Sequence, residues 1–443
     1  MESINKNVWK HFFNLYKIIF YKLFSFLFFL DDQKFAFLLV SLFIKETNPN
    51  SKYTLLVLSS HRFKEETKIL SNNFRILELP IFFQEYLRSF FFRNIKLDKG
   101  KFDLVFKKSN DKLLEKRKEQ FNEYLKKFCY FLFKKKKINM VISPSLHYIQ
   151  DFFWGKPTIY NKIPYLVIHK ECLHASKFII NNLKNRWKKV GNYPLSHLIV
   201  YNEVAKKTFI DSKIISPDKI SNLGIMRMDK LQKIKVKNVK KQVTFFSFTP
   251  GGPGTGYNFS DKRGIYNMFK NTHISFARAA MEHKDFEFII RPKFADIWQE
   301  RIVDALKSQN IDIEKINNLR FDYLTNTHEL ISDSKLIIAY GSTVIFESGF
   351  LKKNVLIPIM EEALEKKYSD RVMFKNESKK FDIANSQAEM IKKIRFYIKK
   401  NQVISQKKVS TYNKMFKKWV SCYSDSTQRY NKIINKIIIQ SMK

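Results

Sequence analysis

Short, continuous apolar runs alternate along this chain with longer segments whose apolar positions recur at helical spacing. In the first half the runs fall at residues 53–59 (YTLLVLS), 74–79 (FRILEL), 140–143, 165–169 (YLVIH) and 197–201 (HLIVY). A polar stretch at 60–71 and a highly charged helical pattern at 112–133 separate them. From residue 243 a second alternation begins. Its runs are 243–248 (VTFFSF), 286–291 (FEFIIR), 319–323, 335–340 (KLIIAY) and 355–359, with helical patterns at about 267–283, through 307, and at 343–352. Runs apolar at every position are what a parallel sheet covered on both faces requires. Two such series predict an α/β chain with two facing, doubly wound, Rossmann-like sheets. Between 229 and 243 the periodicity is lost in a lysine-rich stretch, which reads as the connection between domains. The expected division is 1–235, 236–400, and a tail of basic helices at 401–443.

Composition sharpens this picture only in part. The chain of 443 residues suits two domains. Its 81 basic against 41 acidic side chains leave a net charge of +40, a field that attracts nucleotide phosphates, anionic lipids, acidic glycans or nucleic acid alike. The basic residues are spread throughout and no nucleic-acid-binding motif is present, so a nucleic-acid partner is not expected. Cys129, Cys172 and Cys422 are too few and too scattered for a disulfide framework or a closed zinc site, and a reducing, cytoplasmic compartment fits. The apolar stretch at 18–30 is interrupted by Lys22 and ended by Asp31 and Asp32. It is shorter than the roughly 20 residues of a spanning helix. It reads as a buried or surface helix, with an interfacial helix on the inner face of the membrane as the second choice.

Ligands of a doubly wound sheet bind beyond the carboxyl ends of its strands, and three motifs fall there. After the 243–248 run, Gly251, Gly252 and Gly254 belong to a loop holding four of the chain's eleven glycines within six residues. Glycine lets a backbone approach a ligand and turn its N–H groups toward phosphate oxygens, although the spacing is that of neither a P-loop nor GxGxxG. Arg291 and Lys293, either side of Pro292, end the next run and suit a diphosphate. The most specific motif is Gly341-Ser342-Thr343-Val344-Ile345-Phe346-Glu347, where a strand turns into a helix. Ser342 and Thr343 bring hydroxyls and backbone N–H groups to a helix start. Glu347, four residues beyond Thr343, lies on the same face and can accept hydrogen bonds from sugar or ribose hydroxyls.

The segment GSTVIFESGFLKKNVLIP resembles the donor-site segment of glycosyltransferase-B (GT-B) enzymes. More narrowly, FFSFTPGGPG, IIRPK, GSTVIFE, SPSLHY, LVIHKECL, VYNE and LGIMRMDKL, spread over roughly 140–375, resemble bacterial surface-carbohydrate or capsule biosynthesis proteins akin to CDP-glycerol glycerophosphotransferases. Relatives often carry His-Pro where this chain has Arg291-Pro292. The resemblance implies a nucleotide-sugar or CDP-glycerol-type donor on the second domain, lined by Arg291, Lys293, Ser342, Thr343 and Glu347. It implies a glycan or lipid-linked acceptor on the first domain, and places Arg227 and Asp229 at the hinge, facing the cleft or pairing with each other.

Transfer to a hydroxyl needs a general base. His169 and Glu171 follow the 165–169 run, and His147 follows 140–143, with Asp151 close behind. No Asp-x-Asp stands at an expected strand end, so neither a metal nor another cofactor is expected beyond the donor itself. Two other functions remain open at this point: a UDP-sugar 2-epimerase-like enzyme and a non-catalytic polyanion-binding protein.

Overall fold

The computed structural model describes residues 22–23, 25, 32–93, 95, 105–234, 239–250, 265–292, 297–399, 404–421 and 424–443. The first sheet contains β1 (Lys45–Thr47), β2 (Thr54–Val57), β3 (Arg75–Glu78), β4 (Met140–Ser143), β5 (Tyr165–Ile168), β6 (His197–Val200) and β7 (Ile220–Asn222). Its spatial order is β1-β3-β2-β4-β5-β6-β7, parallel throughout except for β1, which runs against β3. The second contains β8 (Gln242–Phe246), β9 (Glu287–Arg291), β10 (Leu319–Phe321), β11 (Leu336–Ala339), β12 (Asn354–Pro358) and β13 (Asp382–Ala384). Its order is β10-β9-β8-β11-β12-β13, all parallel.

Every residue of β2, β4, β5, β6, β8 and β11 is buried, because helices cover both faces of each sheet. The expected two-sheet α/β architecture is therefore the one found. The pattern missed β1 (KET), β7 (ISN) and β13 (DIA). Each has three residues, at least one of them polar, and sits at a sheet edge, where one side needs no apolar cover.

In the first sheet the chain leaves β2 toward β3 on one side and resumes at β4 on the other. The second sheet does the same at β8 and β11. These reversals open a crevice at the carboxyl ends of β2 and β4, and another at those of β8 and β11. The two strand-end surfaces meet directly. The N–H of Phe374 donates to the carbonyl of Ala175 at 2.8 Å, and that of Phe178 to Asp370 at 3.1 Å.

The basic tail is divided between the lobes instead of standing apart. The Gln406–Val420 helix packs on the Val344–Phe350 helix of the second lobe, so closely that a Cβ on Gly349 would stand 2.6 Å from the Tyr412 ring. The Ser426–Ser441 helix returns to the first lobe, where Tyr430, Ile434 and Ile438 join Leu55, Ile76, Ile142 and Leu166 in one apolar cluster. Asp229 fixes its start, accepting the N–H groups of Ser426 at 3.1 Å and Thr427 at 2.7 Å. The expected connection at 229–243 thus begins inside a short 3-10 helix, Met226–Lys233, that belongs to the first lobe's packing. Most of the apolar stretch 18–30, and Cys422, lie outside the described residues. Among the described residues, no helix is long and apolar enough to cross a membrane.

This returning helix yields a test. Ile434→Ala opens a cavity in a fully buried contact and is expected to lower stability by about 2–4 kcal/mol in urea unfolding. Asp229→Ala, which removes a helix cap, should cost about 1 kcal/mol.

Candidate functional site

At the crevice of the second sheet, β11 ends at Ala339, buried Tyr340 follows, and the chain turns at Gly341. Gly341 has φ +62°, and a Cβ there would come within 2.4 Å of Met373 Sδ. The backbone conformation favours glycine, while the flexible end of Met373 could yield to a Cβ. The half-buried Ser342 accepts the Val344 N–H through its hydroxyl at 3.3 Å, and the helix Val344–Phe350 follows. That helix has seven residues, so its dipole is small, and the turn's own hydroxyls and N–H groups are what a ligand would meet.

Glu347 is not the free carboxylate the sequence suggested. It is 2% exposed, and its Oε2 accepts from His328 Nε2 at 3.1 Å. A carboxylate only accepts, so that nitrogen carries its hydrogen. Burial alone would raise the Glu347 pKa. The hydrogen bond and charge of His328, the charge of Arg227 and the Thr343 hydroxyl outweigh it and hold the carboxyl below its usual range.

Arg227 connects this group to the first lobe. Its Nη1 lies 2.5 Å from Oε1 of Glu66, a buried residue of the Lys64–Leu70 helix. Glu66–Arg227 and Glu347–His328 are thus two hydrogen-bonded pairs, one on each lobe, with the charge of Arg227 felt at Glu347. Arg227 and Asp229 do not pair with each other: Asp229 is taken up in capping the Ser426–Ser441 helix.

Arg291 ends β9 in register with Phe246 of β8, and so flanks the same crevice. Its Nη1 donates to the Asp322 carbonyl at 2.8 Å and to Oδ1 at 3.1 Å. Asp322 is buried, which by itself would raise its pKa, yet hydrogen bonds from Thr325, Arg320 and Leu324 hold it at about 2. The guanidinium is therefore paired with Asp322 through Nη1. Gly251, Gly252, Gly254 and Lys293 lie outside the described residues. Beside their loop, Ser247 donates to His273 Nε2 at 2.9 Å, since the other ring nitrogen gives its hydrogen to the Phe269 carbonyl at 2.7 Å.

The three base candidates of the first lobe separate clearly. His169 is fully buried, and its Nδ1 accepts the Leu146 N–H at 3.2 Å. Its Nε2 must then carry the hydrogen, and that atom has no partner among the described residues. With its acceptor nitrogen occupied, and burial holding its pKa well down, His169 is not placed to take a proton. His147 meets Arg186 Nη1 through Nδ1 at 3.4 Å and Glu171 Oε2 through Nε2 at 4.0 Å. Burial, then Arg186 and His174, push it down to about 3, so it stays neutral and a poor base at pH 7. Glu171 is the most exposed of the three, its side chain 44% accessible against 18% for His147, with the Tyr148 hydroxyl donating to its Oε1 at 3.3 Å.

Asp151 sits under the first sheet's crevice. Its Oδ1 accepts from Ser59 Oγ and Gln84 Nε2, each at 2.8 Å, and its Oδ2 from Ser143 Oγ at 2.8 Å. Ser59, with φ +47°, and Ser143 belong to the two strand ends that define the crevice, so this carboxyl ties them together. Burial raises it to about 6.

Sequence reasoning missed His328, Glu66, Asp322 and Ser247–His273. His328 gave a faint signal, a polar residue one helix before β11, while the others became partners only through the fold. Ser334, just before β11, bonds Thr244 at 2.7 Å and Gln242 at 2.9 Å and braces β8 against β11.

The comparisons with known proteins agree with this architecture. The fold is similar to that of a protein from Listeria monocytogenes described as a UDP-N-acetylglucosamine 2-epimerase, with TM-score 0.50 and 10% identity over 88% of this chain and 98% of that one. A glycosyltransferase from Rickettsia africae ESF-5 gives 0.47 and 14% identity over 88% and 99%. The wall teichoic acid polymerase TagF gives 0.44 and 14% identity over 71% and 75%. The chain has the GT-B fold: two Rossmann-like lobes with their strand ends face to face. No protein-family model matches the sequence, and no curated protein matches it.

The buried histidines fix a dependence on pH. His147 and His174 are held at about 3, and His197 and His273 at about 4, burial being the main cause in each. Unfolded histidines gain protons below about 6.5, so the unfolded state binds more protons and stability falls as pH drops through that value. Each histidine contributes about 1.4 kcal/mol per pH unit. Asp151, shifted from 3.8 to about 6, opposes with one such slope in the interval between. The urea midpoint should therefore fall steeply from pH 7 to 5. A flat profile would mean that these rings are hydrated.

Proposed function

We propose that this chain is a transferase that carries a group from a nucleotide-activated donor, of the nucleotide-sugar or CDP-glycerol type, to a surface-glycan or lipid-linked acceptor. The observation that carries the reading is the apposition of two crevices, one of them built on the Gly341-Ser342-Thr343 turn. A crevice at a strand-order reversal is where a nucleotide binds in this class of sheet. The donor phosphates lie against the Ser342 and Thr343 hydroxyls, with Arg291 beside them and Lys293 and the Gly251–Gly254 loop as further contacts. Glu347, sealed behind the turn, holds Thr343 and His328 in position and does not itself touch the donor.

The acceptor lies on the first lobe, with Glu171 as the base. An acceptor hydroxyl oxygen attacks the donor's anomeric carbon or phosphorus and its proton passes to the Glu171 carboxylate. The bond from that centre to the nucleotide phosphate oxygen breaks, and the electron pair leaves on the phosphate. Cations and N–H groups fixed at the crevice stabilise that charge. The protein works in the cytoplasm, at the inner face of the membrane where a lipid-linked acceptor is presented.

A second reading rests on the fold shared with the Listeria protein: 2-epimerisation of a UDP-sugar in the same donor crevice, with no acceptor. Incubation with UDP-sugars alone, followed by product analysis, separates the two. Epimerised sugar without acceptor would replace the transferase reading.

Thermal-shift measurement against CMP, CDP, UDP and GDP conjugates tests the donor site, because a ligand of the native state raises its melting temperature. At least one conjugate should stabilise the wild type, and Ser342→Ala combined with Arg291→Met should weaken that response. An unchanged response would remove the donor assignment. With the donor identified, Glu171→Gln is expected to lower kcat by about 10²–10⁴-fold while leaving donor affinity intact.

A further inference from the structure

The Gln33–Ser41 helix is apolar on two faces. Ala36, Phe37 and Val40 point into the core. Phe35, Leu38 and the capping residue Leu42, at i, i+3 and i+7 spacing, share the opposite side and are 60%, 55% and 75% exposed. A helix at an ordinary protein surface would be polar there. This helix packs on the long Lys112–Lys136 helix, as does Gly155–Tyr160. These neighbours add Tyr130, 51% exposed, and Tyr160, 63% exposed.

Lysines accompany the rings. Lys34 Nζ stands 5.7 Å from the Phe131 ring centre, Lys134 Nζ 5.8 Å from that of Tyr130, and Lys126 Nζ 3.7 Å from that of Tyr160. Glu123 meets Lys126 at 3.6 Å.

The geometry points to this face of the first lobe as a docking surface for an anionic lipid bilayer. Phe35, Leu38, Leu42 and the two tyrosines enter the headgroup–acyl boundary, while the lysine stems lie along the rings and their ammonium groups meet lipid phosphates. An apolar stripe accompanied by cations matches that interface, which is apolar beneath and negative above. A second copy of the chain is the poorer occupant, since two bodies of net charge +40 repel each other. In the sequence, moreover, the apolar stretch 18–30 leads straight into this helix. The inference deepens the membrane placement in the transferase reading by assigning it to particular residues, and its failure is distinguishable because vesicle binding and nucleotide binding fail separately.

The test is co-sedimentation of the full chain with vesicles of phosphatidylcholine, either pure or with about 30% phosphatidylglycerol. The wild type should bind the anionic vesicles and bind the neutral ones far less. Phe35→Ser/Leu38→Ser/Leu42→Ser should lower partitioning about tenfold or more with its melting temperature unchanged, since these side chains are exposed. Lys126→Glu/Lys134→Glu should also lower it and flatten its dependence on salt. The inference is overturned if the wild type ignores anionic vesicles, or if the triple-serine variant binds as the wild type does. A wild-type dimer in sedimentation that the triple-serine variant dissociates, without vesicle binding, overturns it in favour of a second copy.

Discussion

A guanidinium cannot give up its charge, so Arg227, placed where the chain crosses between lobes, dictates what must surround it. Glu66 of the first lobe meets it at 2.5 Å, and its field helps keep Glu347 of the second lobe ionised. Glu347 in turn holds His328. Losing one member would leave a neighbour buried and uncompensated, which costs more than the pair gains by forming. The set therefore works as a constraint on geometry more than as a source of stability. It places the charge of Arg227, on the segment leading out of the first lobe, within reach of Glu347 behind the turn at Gly341.

Around that set the two strand-end surfaces are furnished differently. The second lobe offers hydroxyls, backbone N–H groups and a half-paired arginine, a set suited to phosphate oxygens. The first lobe offers neutral imidazoles under cover and one accessible carboxylate. Burial explains the difference. His147 and His169 lose the water that would stabilise their protonated forms, and their nitrogens are spent on Arg186 and on the Leu146 N–H. Glu171 stays exposed to solvent.

The tail and the first helix show how the lobes are finished at opposite ends of the chain. The Ser426–Ser441 helix closes the first lobe's core from outside the sequence of that lobe, and the Asp229 cap beside Arg227 anchors it. The Met226–Lys233 segment thus carries two ionic tasks two residues apart, one toward Glu66 and one toward the tail. The Gln33–Ser41 helix leaves apolar surface uncovered within the same lobe.

The architecture was legible because burial on both faces of a parallel sheet writes itself into local sequence as unbroken apolar runs. The turn at Gly341 was legible for a similar reason: a strand, a glycine and two hydroxyl residues in succession have few other conformations. The edge strands escaped notice because an edge imposes no such pattern on three residues. The chemistry was legible only as a set of residue types. Which carboxylate meets Arg227 is decided across 161 positions, and whether Glu347 is offered to a ligand or sealed behind His328 depends on how a neighbouring helix packs. Periodicity records the environment of each residue singly, whereas charge pairing and pKa belong to contacts that exist only once distant segments have come together.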